Sequence, residues 1–293
     1  MTKYKIIKLQ AKDLKYKNIN IKQIIKNFNK TGVIVVENLL NKQKCNFFIN
    51  LLEKSYSKYK NLYFANKLKK IATHSQSYNA KTVSNLHNKN IKFLKFLDHP
   101  TILPLVTSFL QQGSHMESDR IICQSFVARS PTGKAKGQQL HNDARMIGLR
   151  FPIVIQVMWA LDNFTKNNGS TRFVLGSHKF MKFPKNEKTY KDEVIIEIPS
   201  GSAIIFNGAV WHGSSKIKNV SSRRWGVVCR YARWFLKPSF NFQENTPKNI
   251  YNKMNKTQRD LLGFSYNTPK DEFSSDRTTQ RKYSKPLNYT LPV

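Results

Sequence analysis

The chain has 293 residues, 40% of them hydrophobic and 12% aromatic, which allows one large folded domain and excludes a disordered polymer. Its 50 lysines and arginines outnumber 17 acidic residues and give a formal charge of +33, which excludes neither a nucleic-acid partner nor a compositional bias. No apolar stretch approaches the roughly 18–20 residues of a membrane span, and the N-terminus lacks the apolar region of a secretory signal, so we expect no membrane partner. Three widely spaced cysteines, Cys45, Cys123 and Cys229, suggest no disulfide framework and fit a reducing cytoplasm.

The first part of the chain, residues 1–118, is predicted to contain helices and one strand that pack on the core. Apolar residues recur at helical spacing, and a β-branched run follows Gly32. The predicted elements are a helix over 21–30, a strand over 32–40, a helix over 41–61 and two short helices within 90–110 that separate at Asp98–Pro100.

Short β-branched or aromatic runs separated by turn residues dominate from about residue 119. They predict strands over 120–129, 152–161, 194–199, 202–207 and 224–236. This pattern is typical of an antiparallel sandwich or barrel, so we expect a catalytic core over 119–236. Residues 237–293 are polar and are predicted to form a partly helical extension of the same domain.

Three possible metal ligands stand out. His141 and Asp143 are two residues apart after a predicted strand, and His212 follows a second apolar strand–turn–strand. Side chains two residues apart on a strand point to the same side. Two imidazoles and one carboxylate suit Fe(II) and leave adjacent positions open for a 2-oxo acid and O₂, whereas zinc more often occupies a closed four-ligand site. A chain with 7 histidines and 17 acidic residues often contains an H-x-D pair by chance. The prediction therefore depends on the strands before the pair and on the second histidine.

An arginine beyond the third ligand strengthens this interpretation. Arg223 precedes the last predicted strand. A 2-oxoglutarate site must neutralise the distal carboxylate of the co-substrate, and a guanidinium does so with two parallel hydrogen bonds. The alternative is a solvated charge at the edge of a strand.

Five segments of the chain resemble the phytanoyl-CoA dioxygenase family, within the Fe(II)/2-oxoglutarate-dependent dioxygenase superfamily. They occur in the family's order over roughly residues 30–236, and they are GVIVVENLL, QLHNDARM, VMWALDNFTKNNGSTRFVLGSHK, PSGSAIIFNGAVWHGS and NVSSRRWGVVCRYA. The resemblance implies a mainly β fold with flanking helices and a double-stranded β-helix core, that is, a cupin-like jelly-roll.

The resemblance also implies roles for individual residues. It matches the iron ligands to His141, Asp143 and His212, which would be the catalytic centre. It surrounds the co-substrate with further residues, namely Arg223 or alternatively Arg224 at the distal carboxylate, Ser214 at the same group, and Trp159, Ser125 and Lys81 as lining. Plain structural roles remain open for these: Trp159 as core, Ser214 as a turn residue and Lys81 as a surface charge.

The implied reaction is hydroxylation of a small molecule, with O₂ and 2-oxoglutarate consumed and succinate and CO₂ released. Asp143 favours this outcome, because related halogenases lack the carboxylate. A nucleic-acid-directed dioxygenase and a non-catalytic binding protein on the same fold are the alternatives. Only the charge supports the first, and the intact triad argues against the second. We therefore expect no specific nucleic-acid partner. We also expect the protein to be a monomer or a homodimer.

The substrate itself is left open among acyl-CoA thioesters, amino acids, phosphonates and natural products. Loops over 64–82, 144–151 and 178–192 and the C-terminal extension are expected to select among them. Three arginines on or near these loops are candidates to meet an anionic substrate or to remain plain surface charges, namely Arg145, Arg150 and Arg172. The positive field of the chain favours anionic small molecules, 2-oxoglutarate included.

Overall fold

Two facing β-sheets and a layer of helices make up the described part of the chain. The structure, a computed structural model, describes residues 4–15, 20–68, 80–114, 121–131, 137–185, 190–218 and 223–265. The larger sheet has seven strands in the order β1-β2-β8-β5-β10-β4-β3, and the smaller has three in the order β7-β6-β9. Within the described residues, no helix has the length and apolar character needed to cross a membrane.

The N-terminal part contributes strands as well as helices. Helix α1 starts where the Asn20 side chain accepts a hydrogen bond from the Gln23 amide, and it ends at Gly32, whose φ of 77° suits glycine. The elements in order are β1 Ile7–Gln10, α1 Ile21–Thr31, β2 Val33–Glu37, α2 Lys42–Leu68 and β3 Ala80–Ser84. The predicted helices and the strand after Gly32 are confirmed, whereas β1 and β3 are additional to the prediction.

Short helices cover one face of the larger sheet. They are α3 Leu86–Lys89, α4 Leu94–Leu97 and α5 Ile102–Leu110. The interruption predicted at Asp98–Pro100 is confirmed between α4 and α5. The layer is held to α1 by Phe28 and Phe109, whose rings stack with centroids 4.0 Å apart.

The remaining strands form the centre of both sheets. They are β4 Ile121–Pro131, β5 Val154–Ala160, β6 Thr171–Val174, β7 Glu193–Ile195, β8 Ala203–Asn207, β9 His212–Ser214 and β10 Gly226–Arg233. Strand β8 pairs with β2 and β5, and β10 pairs with β5 and β4, all antiparallel. The mainly β fold with a double-stranded β-helix core is confirmed.

Part of the predicted C-terminal extension is described. It contains α6 Lys248–Tyr251 and α7 Lys256–Leu261, and a capping box between Asn255 and Gln258 starts α7. Residues 266–293 lie outside the described part of the chain.

The two faces of the larger sheet have different neighbours. Trp159 and Cys229 belong to the core shared with the helices, so we call their side the helical face. Met158 and Phe206 pack with Phe173 of the smaller sheet, and we call this side the inner face. Because side chains alternate along a strand, a shift of one residue moves a side chain from one face to the other.

Candidate metal centre

The three predicted ligands come together on the inner face. Potential ligand atoms of His141, Asp143 and His212 all lie within 4.8 Å of one another. The Nε2 atom of His212 is 3.3 Å from Asp143 Oδ2, and the Nε2 atom of His141 is 3.8 Å from Asp143 Oδ1. One ion could therefore contact all three side chains after small adjustments.

Backbone hydrogen bonds build this arrangement. His141 and His212 form an antiparallel bridge in which each amide donates to the other residue's carbonyl, at 3.0 and 2.9 Å. The Asp143 amide donates to the Gly208 carbonyl at 2.7 Å. A Cβ atom at Gly213 would lie 2.6 Å from the Gln138 carbonyl oxygen, so only glycine lets these two segments approach so closely.

Both histidines present Nε2 to the shared space. The Nδ1 atom of His141 lies 3.0 Å from the Gln139 carbonyl, and that of His212 lies 2.9 Å from the Val210 carbonyl. Because a carbonyl oxygen only accepts, each Nδ1 carries the proton, and the Nε2 lone pair is free for a metal. Burial and the neighbouring His212 lower the pKa of His141, which favours its neutral, metal-binding form.

The carboxylate of Asp143 is held at one oxygen. Its Oδ2 accepts from Gln156 Nε2 and from Arg230 Nη2, the latter at 2.9 Å. Burial alone raises the pKa of Asp143, but the neighbouring His212 and the charge of Arg230 hold that pKa well below its usual range. The carboxylate is therefore ionised, and Oδ1 remains for coordination. Two imidazole nitrogens and one carboxylate oxygen fit a divalent iron site with open positions.

The structure corrects the prediction for Arg223. Its side chain is 50% exposed and forms an ion pair with Asp162 at 2.8 Å, away from the triad. The hydrogen bond with Asp162 raises the pKa of Arg223. Its neighbour Arg224 is buried instead, with its guanidinium 4.5 Å from the centre of the Phe164 ring on the inner side. The alternative residue of the prediction, Arg224, is thus the inward-facing arginine.

The unsatisfied Nε of Arg224 indicates where an anion would bind. Its Nε is buried and has no hydrogen-bond partner among the described residues. Burial lowers the pKa of Arg224 to about 10, which shows how poorly this environment solvates the charge. A carboxylate bound there would satisfy both the hydrogen bonds and the charge.

Trp159 and Lys81 also face the wrong side for the predicted lining. Trp159 is fully buried on the helical face, where its ring lies 5.2 Å from Phe96. Lys81 pairs with Glu53 of α2 at 2.8 Å, and Glu53 also accepts from the Trp225 indole. Each lies one residue away from an inward-facing position.

The two predicted serines are placed consistently with the expectation. Ser125 is paired with Arg230 across β4 and β10, on the inner face. Ser214 is two residues after His212 on β9 and therefore shares its face. Their contact with a co-substrate stays a prediction.

Sequence reasoning missed three polar residues on the inner face, Arg129, Gln156 and Arg230. The available signal was a polar side chain inside an apolar strand, as in PIVIQVMWAL for Gln156 and GVVCRYA for Arg230. Buried polar groups in such strands need partners, and Asp143 is the partner for both Gln156 and Arg230.

The three arginines proposed to meet a substrate are either paired with other groups or exposed. Arg172 pairs with Glu193 at 2.8 Å, and its guanidinium also donates to the Gln138 carbonyl. Arg145 and Arg150 are exposed. Of the loops expected to select the substrate, residues 69–79 and 186–189 lie outside the described part of the chain.

Comparisons with known proteins agree with this site. The family model for phytanoyl-CoA dioxygenase (PhyH) matches residues 28–225. Dioxygenase af480 of Aspergillus fumigatus is 25% identical over 175 residues, covering 58% of this chain and 54% of that protein. The Fe(II)/2-oxoglutarate-dependent dioxygenase nvfF of Aspergillus novofumigatus is 39% identical over 61 residues, 21% of this chain and 20% of that protein. The chain thus spans about half the length of the first of these relatives.

A solved structure shares the fold. HygX from Streptomyces hygroscopicus, crystallised with nickel, 2-oxoglutarate and hygromycin B, superposes with a TM-score of 0.59 at 13% identity. The superposition covers 74% of this chain and 88% of HygX. At this level of identity the likeness concerns the arrangement of strands and helices.

Proposed function

Since this chain belongs to the phytanoyl-CoA dioxygenase family, we propose that it is an Fe(II)- and 2-oxoglutarate-dependent dioxygenase that hydroxylates a small molecule. The observation that carries the proposal is the triad of His141, Asp143 and His212, whose ligand atoms lie within 4.8 Å. HygX was crystallised with hygromycin B, and we propose that this chain likewise accepts a small molecule.

The triad would hold the ion on one side only. Two Nε2 atoms and Asp143 Oδ1 leave the remaining coordination positions to the co-substrate and O₂. Iron held there would supply the chemistry that couples 2-oxoglutarate and O₂ to succinate, CO₂ and a hydroxylated substrate. The chain's own contribution is to orient the ligands and to keep the site dry.

Arg224 is the residue that we assign to the distal carboxylate of 2-oxoglutarate. Its guanidinium is buried, lies over Phe164 and has an unpaired Nε. A planar guanidinium binds a carboxylate with two parallel hydrogen bonds, and the apolar surroundings strengthen that pair. Arg224 precedes β10, and Val228 and Arg230 lie an even number of residues after it, so all three share one face. Arg230 contacts Asp143, so this face extends from Arg224 to the triad.

The test is anaerobic titration of Fe(II) and 2-oxoglutarate, followed by the weak visible charge-transfer band. We expect Arg224→Ala to weaken 2-oxoglutarate binding by about 10²-fold, because losing the pair costs roughly 2–4 kcal/mol. Arg223→Ala is the matched control and should change the Kd by less than about threefold, because an exposed ion pair contributes little. The reverse ranking would overturn the assignment of Arg224.

The triad itself is tested by the same band and by succinate release. Each of His141→Ala, Asp143→Ala and His212→Ala should abolish both, while the circular dichroism spectrum stays close to that of the wild type. A wild-type protein that forms no band with Fe(II) and 2-oxoglutarate would overturn the proposed function as a whole.

A further inference from the structure

Two arginines on the inner face, Arg129 and Arg230, have buried N–H groups that the proposed reaction leaves unused. Strand β4 directs Ser125, Val127 and Arg129 inward, alternating with Phe126 and Ala128, which pack among the helices. Arg129 lies opposite Gly226 of β10, whereas Arg230 lies opposite Ser125. A glycine opposite Arg129 leaves the guanidinium room on this face.

The guanidinium groups of these two arginines are only partly satisfied. The Nε atoms of Arg129 and Arg230 are both buried, and neither has a hydrogen-bond partner among the described residues. Arg230 uses Nη2 for Asp143, at 2.9 Å. Within the part of the chain that the structure describes, Arg129 forms no ion pair with a carboxylate. Buried, unpaired N–H groups are costly and mark a place where a partner is missing.

Arg129 of β4 and Arg230 of the neighbouring strand β10 share the inner face. Burial lowers the pKa of Arg129, while the charge of Asp143 raises it and that of Arg230 lowers it. The Arg129 guanidinium therefore interacts electrostatically with Asp143 and with Arg230. Two like charges on the same partly buried face repel each other, and an anion bound between them would relieve that repulsion.

The co-substrate does not satisfy these groups. In the proposed function, 2-oxoglutarate places one carboxylate at the metal and the other at Arg224, so neither is left for Arg129. Arg129, Arg224 and Arg230 carry three positive charges on the inner face against the one negative charge of Asp143. The charges of a divalent ion and a dianionic co-substrate cancel each other. Two positive charges therefore remain in the loaded site.

We propose that Arg129 and Arg230, on the inner face beside the triad, bind an anionic group of the compound that is oxidised, either a carboxylate or a phosphate. This rests on the proposed function and names its substrate class. The anion would accept two hydrogen bonds from Arg129 and one from Arg230 Nε, and it would hold the rest of the substrate against the open side of the metal.

The test uses the full chain with Fe(II) and saturating 2-oxoglutarate under anaerobic conditions. Inorganic phosphate and acetate are titrated separately by calorimetry at constant ionic strength. We expect one equivalent of at least one of these anions to bind. Stronger binding of phosphate would identify the substrate group as a phosphate, and stronger binding of acetate would identify it as a carboxylate. Arg129→Gln should weaken that binding by about tenfold or more, and Arg129→Lys should be intermediate, because it keeps the charge but loses the planar fork.

Arg150→Gln is the matched control, because Arg150 is exposed and its removal changes the net charge equally. Salt screens such a surface charge, so anion binding should change by less than about twofold. No anion binding by the loaded wild type, or an equal loss in Arg150→Gln, would overturn the proposal. So would a loss of 2-oxoglutarate affinity in Arg129→Gln as large as in Arg224→Ala, which would assign Arg129 to the co-substrate. Binding of 2-oxoglutarate is measured first, in a separate titration. If 2-oxoglutarate does not bind, that result counts against the proposed function and not against the anion site.

Discussion

At the scale of single residues, Asp143 is where the polar contacts of the site converge. One oxygen receives hydrogen bonds from Gln156 and Arg230, which face each other across β5 and β10. The other oxygen is directed toward His141. We infer that these two donors hold the carboxylate so that it offers a single oxygen to the ion.

Gln156→Leu should weaken Fe(II) binding by about tenfold, because residues that hydrogen-bond to metal ligands typically contribute roughly 10–100-fold to affinity. Leucine removes the donor and leaves Arg230 alone on Asp143, yet it suits a buried strand position. Anaerobic Fe(II) titration measures the change. Gln124→Leu on β4 is the control, because among the described residues the Gln124 side chain donates to the Lys237 carbonyl, at 3.4 Å, and not to Asp143. An unchanged Kd in Gln156→Leu would show that Gln156 does not position Asp143.

At the scale of elements, the site depends on the contact between β9 and the segment 138–141. Gly213 lies between His212 and Ser214, and its missing side chain lets the two segments exchange hydrogen bonds. The geometry of the iron ligands is therefore encoded partly in a residue that is not a ligand.

Gly213→Ala should impair metal binding more than folding. The new Cβ would lie 2.6 Å from the Gln138 carbonyl oxygen and 3.0 Å from that of Gln139, so the bridge between the two histidines must open. We expect the Fe(II) Kd to rise by at least about tenfold, since ligands displaced by a fraction of an ångström bind poorly. Ser215→Ala is the control, because its Oγ has no partner among the described residues. Normal Fe(II) affinity in Gly213→Ala would refute this account.

Strands rich in β-branched residues could be predicted from the sequence. So could the triad, because an H-x-D pair after one strand and a histidine after another are together typical of an iron site. Strand β9 could not, because its sequence His-Gly-Ser has no strand preference and becomes extended only through its pairing with β6 and His141. The face of each side chain could not be predicted either. Sequence reasoning places Arg223 and Trp159 inward, but Arg224 and Met158 lie there, since a one-residue error in a strand reverses its faces.

At the scale of the whole molecule, a buried histidine ties the helical layer to the C-terminal part. His87 of α3 is fully buried and its Nε2 lies 2.7 Å from Asn245 Oδ1. Its Nδ1 has no partner among the described residues, so a proton there would be buried and unpaired. Burial lowers the pKa of His87 to about 3 from its ordinary 6.5.

Acid should destabilise the protein through His87. Because its pKa is lower in the folded state, the unfolded chain binds more protons between pH 6.5 and about 3, and stability falls as the pH falls through this window. From pH 7 to pH 5, this residue should contribute a loss of about 2 kcal/mol in the free energy of unfolding. Urea denaturation at both pH values measures it.

The comparison for this prediction is His87→Gln, which can still donate to Asn245 but does not titrate. Its loss of stability between the two pH values should be smaller than that of the wild type by the contribution of His87. An identical pH dependence in the two proteins would mean that His87 is not the group responsible.

The backbone bridge between His141 and His212 also bears on which ion the protein carries. The two imidazoles are held together by backbone hydrogen bonds that involve no metal, so we infer that the pocket does not need an ion to assemble. Ligand sets of nitrogen and oxygen bind Co²⁺, Ni²⁺ and Cu²⁺ more tightly than Fe²⁺, and a ready-made pocket offers little resistance to these competitors. We therefore expect the bound metal to depend on which divalent ions are abundant when the folded chain first meets them.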